Sequence, residues 1–380
     1  MARYIPRSNT SRVAEFWRTV DQPLLLGIAA LAGAGLIFAG AAGTAVDGDD
    51  PFRSVYRHAL FLTAATAGFF ITAMMSPKGA RRLAALAWVG ALILLAIVPF
   101  TDYAPNGAKR WIPIGSFTLQ PSEFIKPAIL VLAAWALAQR ERVRGVPWEA
   151  VAIGLAAVPM AFLVFQPDAG QTLLIAMSFG VVFFIAGMSW RWAAAMAGGA
   201  MCLAVGLFAA LPHVRDRVMQ LLNPNNEGSQ IGFAAEAISR GGLLGVGPGE
   251  GKIKSDLPEA HNDFIYAVVS EEFGLIAALA IIGAIAFVSV RGLLLSARLA
   301  DPASRGATAG LFALFGFQAA INLMVNLDIA PPTGMTLPLI SYGGSSMMGT
   351  AFLLGLAMAF LREVPQVRAR EGIRADELAL

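Results

Sequence analysis

Ten apolar runs separated by short polar connectors set the pattern of this chain. They lie at about 21–43, 55–75, 83–100, 122–139, 148–165, 170–187, 191–211, 264–290, 306–327 and 342–361. Each is near the ~20 residues that carry an α-helix across a bilayer core. The pattern predicts an all-α integral membrane protein with ten transmembrane helices. The first run is too long for the core of a signal peptide, and no cleavage site precedes a polar mature domain. Polar stretches at 1–20 and 362–380 read as tails around one membrane domain, 21–361. An even number of crossings places both tails on one side.

The connectors supply the orientation. With the N-terminus inside, the inner segments hold Arg3, Arg7, Arg12, Arg18, Lys78, Arg81, Arg82, Arg140, Arg142, Arg144, Arg191, Arg291, Arg298, Arg305, Arg362, Arg368, Arg370 and Arg374. That is 18 of the 28 Lys and Arg, the excess expected of cytoplasmic loops. The other side holds Asp47, Asp49, Asp50, Asp102, Asp168 and Asp328. Both termini are therefore expected in the cytoplasm, and the long 212–263 connector between the seventh and eighth helices outside. A structureless loop of that length is uncommon unless it is functional or disordered. Within it, Ser229 to Ser239 puts Ile231, Ala234, Ala235 and Ile238 on one helical face, the pattern of a helix lying on or partly in a membrane. The following run, Gly245-Val246-Gly247-Pro248-Gly249, has no preceding strand and no Gly-Lys-Ser/Thr ending. It is neither a dinucleotide fingerprint nor a phosphate-binding loop, and it reads as a bent re-entrant segment.

Composition agrees. Hydrophobic residues make up 57% of the chain and charged residues 14%, against roughly 25% charged in soluble domains. Twenty-four Phe and 39 Gly suit apolar helices packed through small residues. The net charge of +3 says less as a total than its distribution does, and no nucleic-acid partner is expected. The one cysteine, Cys202, reads as a small buried apolar side chain, and no Cys/His metal spacing exists.

The candidate chemistry lies at the outer connectors. The stretch Leu257 to Glu272 places four acids and His261 within sixteen residues at a membrane boundary, where ionisable groups are costly unless paired, solvated or used. Asp263 is either the N-cap of the eighth helix or a general base. His261, with an ordinary pKa near 6.5, is the competing base, and Glu259 is a neighbour. At about 100° per residue, Glu271 falls about 80° from the Asp263 face and Glu272 on the opposite side, so at least one faces protein or water. Lys109 and Arg110 adjoin Trp111, either as snorkelling cations beside an interfacial aromatic or as a clamp for an anionic headgroup such as a diphosphate. Glu123 and Lys126 are spaced i,i+3 and can pair. Asp168 and Gln171 have capping-box spacing. Ser345 and Ser346 open the tenth helix, as a cap with close packing or as an anion site.

Together these pieces resemble the SEDS family of bacterial membrane proteins (shape, elongation, division and sporulation). The motifs are Lys109-Arg110-Trp111-Ile112, Gln120-Pro121-Ser122-Glu123-Phe124-Ile125-Lys126, Gln166-Pro167-Asp168, Leu257-Pro258-Glu259-Ala260-His261-Asn262-Asp263-Phe264 with Glu271-Glu272, and Pro338 to Ser346. They span the chain in the family's order and look more like the division member than the elongation member. The resemblance implies a peptidoglycan glycosyltransferase that polymerises lipid II at the outer, periplasmic face of the cytoplasmic (inner) membrane, at the division septum. It implies a class B penicillin-binding protein (a transpeptidase) and other division proteins as partners. It puts the essential carboxylate on Asp263 and functional weight on Arg110, Trp111, Glu123, Lys126 and Glu259. A divalent cation, Mg2+ or Mn2+, or the chain's own cations would stabilise the departing diphosphate. One departure stands out. Division members carry Pro-Thr-Lys-Gly where this chain reads Pro331-Pro332-Thr333-Gly334, so that lysine's work is absent or falls to another cation. Asn262, where Thr is common, is a milder change. The rival functions are a lipid II flippase, which the same buried acids and broken helices suit, an elongation-type polymerase, and a non-catalytic scaffold for the transpeptidase.

Overall fold

All ten apolar runs are helices in a computed structural model of the chain, which describes residues 11–46, 53–105, 109–115, 117–188, 190–210, 215, 219, 230–255, 257 and 260–362. They are α2 (Gln22–Val46), α3 (Arg53–Ala73), α4 (Pro77–Ile97), α5 (Ser122–Gln139), α6 (Trp148–Phe165), α7 (Ala169–Ile185), α8 (Trp190–Ala210), α10 (Ile265–Ser296), α11 (Pro302–Asn326) and α12 (Gly344–Leu361). Seven of them, α2, α4, α5, α6, α10, α11 and α12, are long and apolar enough to cross a membrane. Starts follow local chemistry. Ser76 caps α4 and Asp301 caps α11, each through a side-chain oxygen and each followed by Pro at the first helical position, where proline's missing N–H costs nothing.

Three helices form the interior. The most apolar window is 83% buried in α12, 72% in α5 and 67% in α11, against 22% in α4 and α6. Lipid-facing helices need no buried majority, because a bilayer accepts apolar side chains on its own side. Small residues let the inner helices approach. A Cβ on Gly349 of α12 would stand 2.8 Å from Glu123 Cβ, and one on Gly355 would stand 3.0 Å from the Phe69 carbonyl.

Four details differ from the sequence expectation. Part of the polar N-terminal stretch is a helix, α1 (Arg12–Thr19), whose Phe16 is fully buried beneath the Arg362 guanidinium. The connector before α5 contains a two-stranded antiparallel hairpin, β1 (Ile112–Ile114) and β2 (Phe117–Leu119), so the fold is not purely α. Gly115 at its turn has φ +61, a region open to glycine. Cys202 is exposed on α8 rather than buried. The amphipathic piece is α9 (Gln230–Gly241), and its buried face is Ile231, Ala234, Ala237 and Gly241; Ala235 is exposed. That face is covered by protein, for Gly241 packs against the Ser270 carbonyl of α10.

The glycine-rich run after α9 completes a broken helix. At Gly274, with φ +78, α10 kinks. The carbonyls of Glu271 and Glu272 lose their helical partners there, and accept instead from Val246 N (2.9 Å) and Gly247 N (3.1 Å). The amides of Leu275 and Ile276 donate to the carbonyls of Gly242 (2.9 Å) and Leu243 (3.4 Å). All four orphaned groups of the kink are thus satisfied, as backbone away from water requires. Both acids at the kink face protein, 0% and 1% exposed. Glu271 accepts from the amides of Lys252 (2.8 Å), Ile253 (3.1 Å) and Lys254 (3.3 Å). Glu272 accepts from Gly249 N (2.9 Å) and pairs with the buried Lys254 ammonium.

Candidate active site

Ion pairs sort the bundle into two ends. Asp21–Arg291, Arg142–Asp301, Arg140–Glu149 and Glu15–Arg362 each join residues that the charge bias assigns to the cytoplasm or its edge. The candidate residues gather at the opposite end, where the α6–α7 connection, the β-hairpin, the start of α10 and the 328–343 segment meet.

The first element is the His261–Asp263 segment. The helical cap falls on Phe264, which makes no side-chain cap bond, so Asp263 stands one residue ahead of it and is not the N-cap. Three successive carbonyls are held by other elements. Tyr342 N donates to His261 (2.9 Å) and Ser341 Oγ to Asn262 (2.6 Å). Two side-chain amides of α11, Asn322 and Asn326, donate to Asp263 (2.8 and 2.9 Å). The His261 ring lies 5.5 Å from that of Tyr342.

The second element is Arg110. Its Nε and Nη2 donate to the carbonyls of Gln166 and Pro167, and Nε lies 3.9 Å from Asp168 Oδ2. Asp168 caps α7 through Gln171 N, as the capping-box spacing predicts. Burial pushes the Asp168 carboxyl above its usual range, and the Arg110 guanidinium works against that. Gly334 joins the two elements. A Cβ built there would stand 3.8 Å from Asp263 Oδ2 and 3.9 Å from Arg110 Nη1. Carboxylate and guanidinium therefore flank one spot. Gly334 has φ +73, a conformation that leaves the spot without a side chain.

Beneath lies a buried polar network. Lys126, 2% exposed, donates to Glu123 (2.9 Å), Gln171 (2.7 Å) and Gln318 (3.2 Å). Three acceptors match its three N–H bonds. Gln318 continues to the Thr336 carbonyl (3.3 Å), and the Thr336 hydroxyl meets that of Ser346. Ser345 staples the hairpin to α12, accepting from Gln120 N (3.0 Å) and donating to the Thr118 carbonyl (2.6 Å). Both hydroxyls at the start of α12 thus serve packing. Lys109 is exposed and donates to the Pro99 carbonyl (3.2 Å); Trp111 is half-buried ahead of β1. Glu259 lies outside the described residues.

The sequence reading missed Gln318, Asn322 and Asn326. Their signal was present: three amides at i, i+4 and i+8 lie on one face of an apolar helix. Among the described residues, no three His, Cys, Asp or Glu come together as metal ligands.

A family model described as cell cycle protein, FTSW_RODA_SPOVE, matches residues 22–365. A protein of Caulobacter vibrioides named probable peptidoglycan glycosyltransferase FtsW is 42% identical over 371 residues, 96% of this chain and 95% of that one. A solved chain from work on a peptidoglycan synthase complex that coordinates polymerization and crosslinking superposes with TM-score 0.76. It is 28% identical over 90% of this chain and 98% of that chain. Rod shape determining protein RodA of Thermus thermophilus gives TM-score 0.68 at 27% identity, over 91% of this chain and 98% of that chain. Motifs, fold and relatives agree: this multi-pass membrane chain belongs to the FtsW/RodA/SpoVE family, whose SEDS members include the peptidoglycan glycosyltransferases it resembles.

Proposed function

We propose that this chain polymerises lipid II into glycan strands for the division septum, with Asp263 as the general base. Its ten helices cross the bacterial inner membrane, with the 1–20 and 362–380 tails in the cytoplasm and the 212–263 connector and active site facing the periplasm. Two lipid-linked sugars meet at the Gly334 gap. Asp263 takes the proton of the acceptor's 4-hydroxyl, that oxygen attacks the anomeric carbon of the donor, and undecaprenyl diphosphate departs. Arg110 Nη1 faces the developing negative charge, where a preorganised cation has most effect. The observation that carries this reading is the placement of Asp263 Oδ2 and Arg110 Nη1 around one side-chain-free spot. It favours Asp263 over His261 as base, because the His261 ring lies against Tyr342.

Arg110 also accounts for the missing lysine. Thr333 holds that position, next to Gly334, and the guanidinium reaches the same gap from the hairpin side. Lys126 and Glu123 act from beneath, holding Gln171 and Gln318 and through them the α7 start and the Thr336 segment. A divalent cation at the departing diphosphate would draw its oxygens mainly from the substrate and water, since among the described residues no three His, Cys, Asp or Glu come together. A class B penicillin-binding protein is the proposed partner, supported by the neighbouring synthase complex, in which polymerization and crosslinking are coordinated.

The test is polymerisation of purified lipid II by the chain alone and with its transpeptidase, with and without chelator. Asp263→Ala is expected to abolish product while inserting and folding normally. Glycan product from that variant would overturn the assignment, and lipid translocation without polymerisation by the parent chain would favour a flippase.

A further inference from the structure

The amides of α11 do more than fill a polar stripe. A regular helix start at Asp263 would close its first turn with an Asp263 carbonyl to Ala267 amide bond. Here Asn326 is inserted into that bond. Its Nδ2 donates to the Asp263 carbonyl (2.9 Å), and its Oδ1 accepts from Ala267 N (3.1 Å). The second Nδ2 hydrogen goes to the Asn322 carbonyl (2.9 Å). Ala267 N turns to the Phe264 carbonyl (3.0 Å), so the turn is opened and Asp263 is left ahead of the helix. Asn322 uses its own two N–H bonds on the Asp263 carbonyl (2.8 Å) and the Met335 carbonyl (2.6 Å). Met335 follows Gly334 directly. One side-chain amide thus ties the backbone of the proposed base to the backbone of the gap it faces. Asn322 and Asn326 are 1% and 0% exposed, so neither reaches substrate, and a buried amide leaves no donor unmade without cost.

We infer that Asn322 and Asn326 are positioning residues: they hold Asp263 out of the α10 helix and at fixed distance from Gly334 and Arg110. The inference rests on the reading of Asp263 as the base. Displacement of a catalytic group by about 1 Å can cost on the order of 100-fold in rate, and these two side chains set the Asp263 backbone at that scale.

The experiment uses the full-length chain, with its transpeptidase where the parent needs it, and lipid II as substrate. Asn322→Asp and Asn326→Asp keep volume but remove both N–H donors, leaving one O–H where the buried acid is protonated; Asn322→Ser, which also keeps one donor, serves if an Asp variant does not fold. Rates are normalised to the monodisperse, folded fraction. The expected result is a kcat lower by roughly 10- to 100-fold with KM within about twofold. In an Asp263→Asn background, Asn322→Asp is expected to slow the residual rate no further, because nothing remains to position. Parental kcat in the variants that fold would overturn the inference. So would a raised KM at unchanged kcat, which would mean substrate contact. Polymerisation by Asp263→Asn at the parental rate would instead sink the reading of the base itself.

Discussion

Removing Lys126 tests whether the network under the site is structural. Its ammonium is 2% exposed and its partner Glu123 4% exposed. Lys126→Met would leave Glu123 buried with one remaining donor, Gln171 Nε2 at 3.1 Å, and would strip Gln171 Oε1 and Gln318 Oε1 of theirs. Loss of one member of a buried ion pair costs about 3–5 kcal/mol, and an unsatisfied amide oxygen about 1–3 kcal/mol more unless water enters. Glu123→Gln is milder, because the ammonium keeps three oxygen acceptors. The double variant Glu123→Gln/Lys126→Met is expected to fall short of the sum of the singles by about 1–3 kcal/mol. The assay is reversible unfolding in detergent or bicelles for the parent, both singles and the double, at low and high salt. Salt should change little, since buried pairs are screened far less than exposed ones. A Lys126→Met protein as stable as the parent, with additive singles, would refute the reasoning. If that protein instead bound lipid II with a raised KM, Lys126 would be a headgroup ligand and not a strut.

Three further outcomes follow from the geometry. Gly334→Val is expected to cost about 1–3 kcal/mol from its φ of +73 and to abolish polymerisation by filling the gap; an active Gly334→Val would show that substrate does not enter there. Glu271→Gln keeps an acceptor oxygen but loses the charge on three loop amides, so hydrogen exchange over 246–255 is expected to quicken about tenfold, and unchanged exchange would contradict the clamp. Burial raises the Asp21 carboxyl, but the paired Arg291 bonds (2.6 and 2.9 Å) and Leu24 N outweigh it and hold it below its usual range. Stability from this group is therefore present at neutral pH and lost as pH falls through the acid range. Asp21→Asn is expected to cost about 0–1 kcal/mol at pH 7, given partial exposure, and to flatten the acid limb of a melting curve. An acid limb as steep as the parent's would contradict it.

The helices were legible because a bilayer enforces one rule everywhere: about twenty apolar residues with all backbone bonds made inside the segment. The cap at Asp168 was legible for local reasons, from its spacing to Gln171. The Lys126–Glu123 pair was legible because i,i+3 neighbours share a face. The β-hairpin was not, since three-residue strands carry too little alternation to read. Asp263 was expected as a possible cap because a carboxylate ahead of an apolar run usually is one; the side chain that displaced the cap comes from Asn326, fifty-nine or more residues away in sequence. The buried face of α9 was misread by one position at Ala235 because its partner is α10, and an aligned apolar stripe does not say whether lipid or protein covers it.

The two breaks in α10 explain why the glycine-rich loop and the site belong to one device. At its start, the helix is opened and repaired by Asn326; at Gly274 it is broken and repaired by residues 242–247. Between them, Ile265 to Phe273 is a short rigid rod with Asp263 at one end and the Glu271–Glu272 anchor at the other. Neither break is satisfied from within α10. The rod's position is therefore set by α11 on one side and by the 241–254 loop on the other, and Lys254 carries the second tie on to the Ala41 carbonyl of α2 (3.1 Å). An acid that had only to bind substrate could sit on an unbroken helix. In the proposed role Asp263 meets a hydroxyl and Arg110 across a gap without side chains; that role needs a backbone fixed from outside, and the buried amides and acids around α10 fix it.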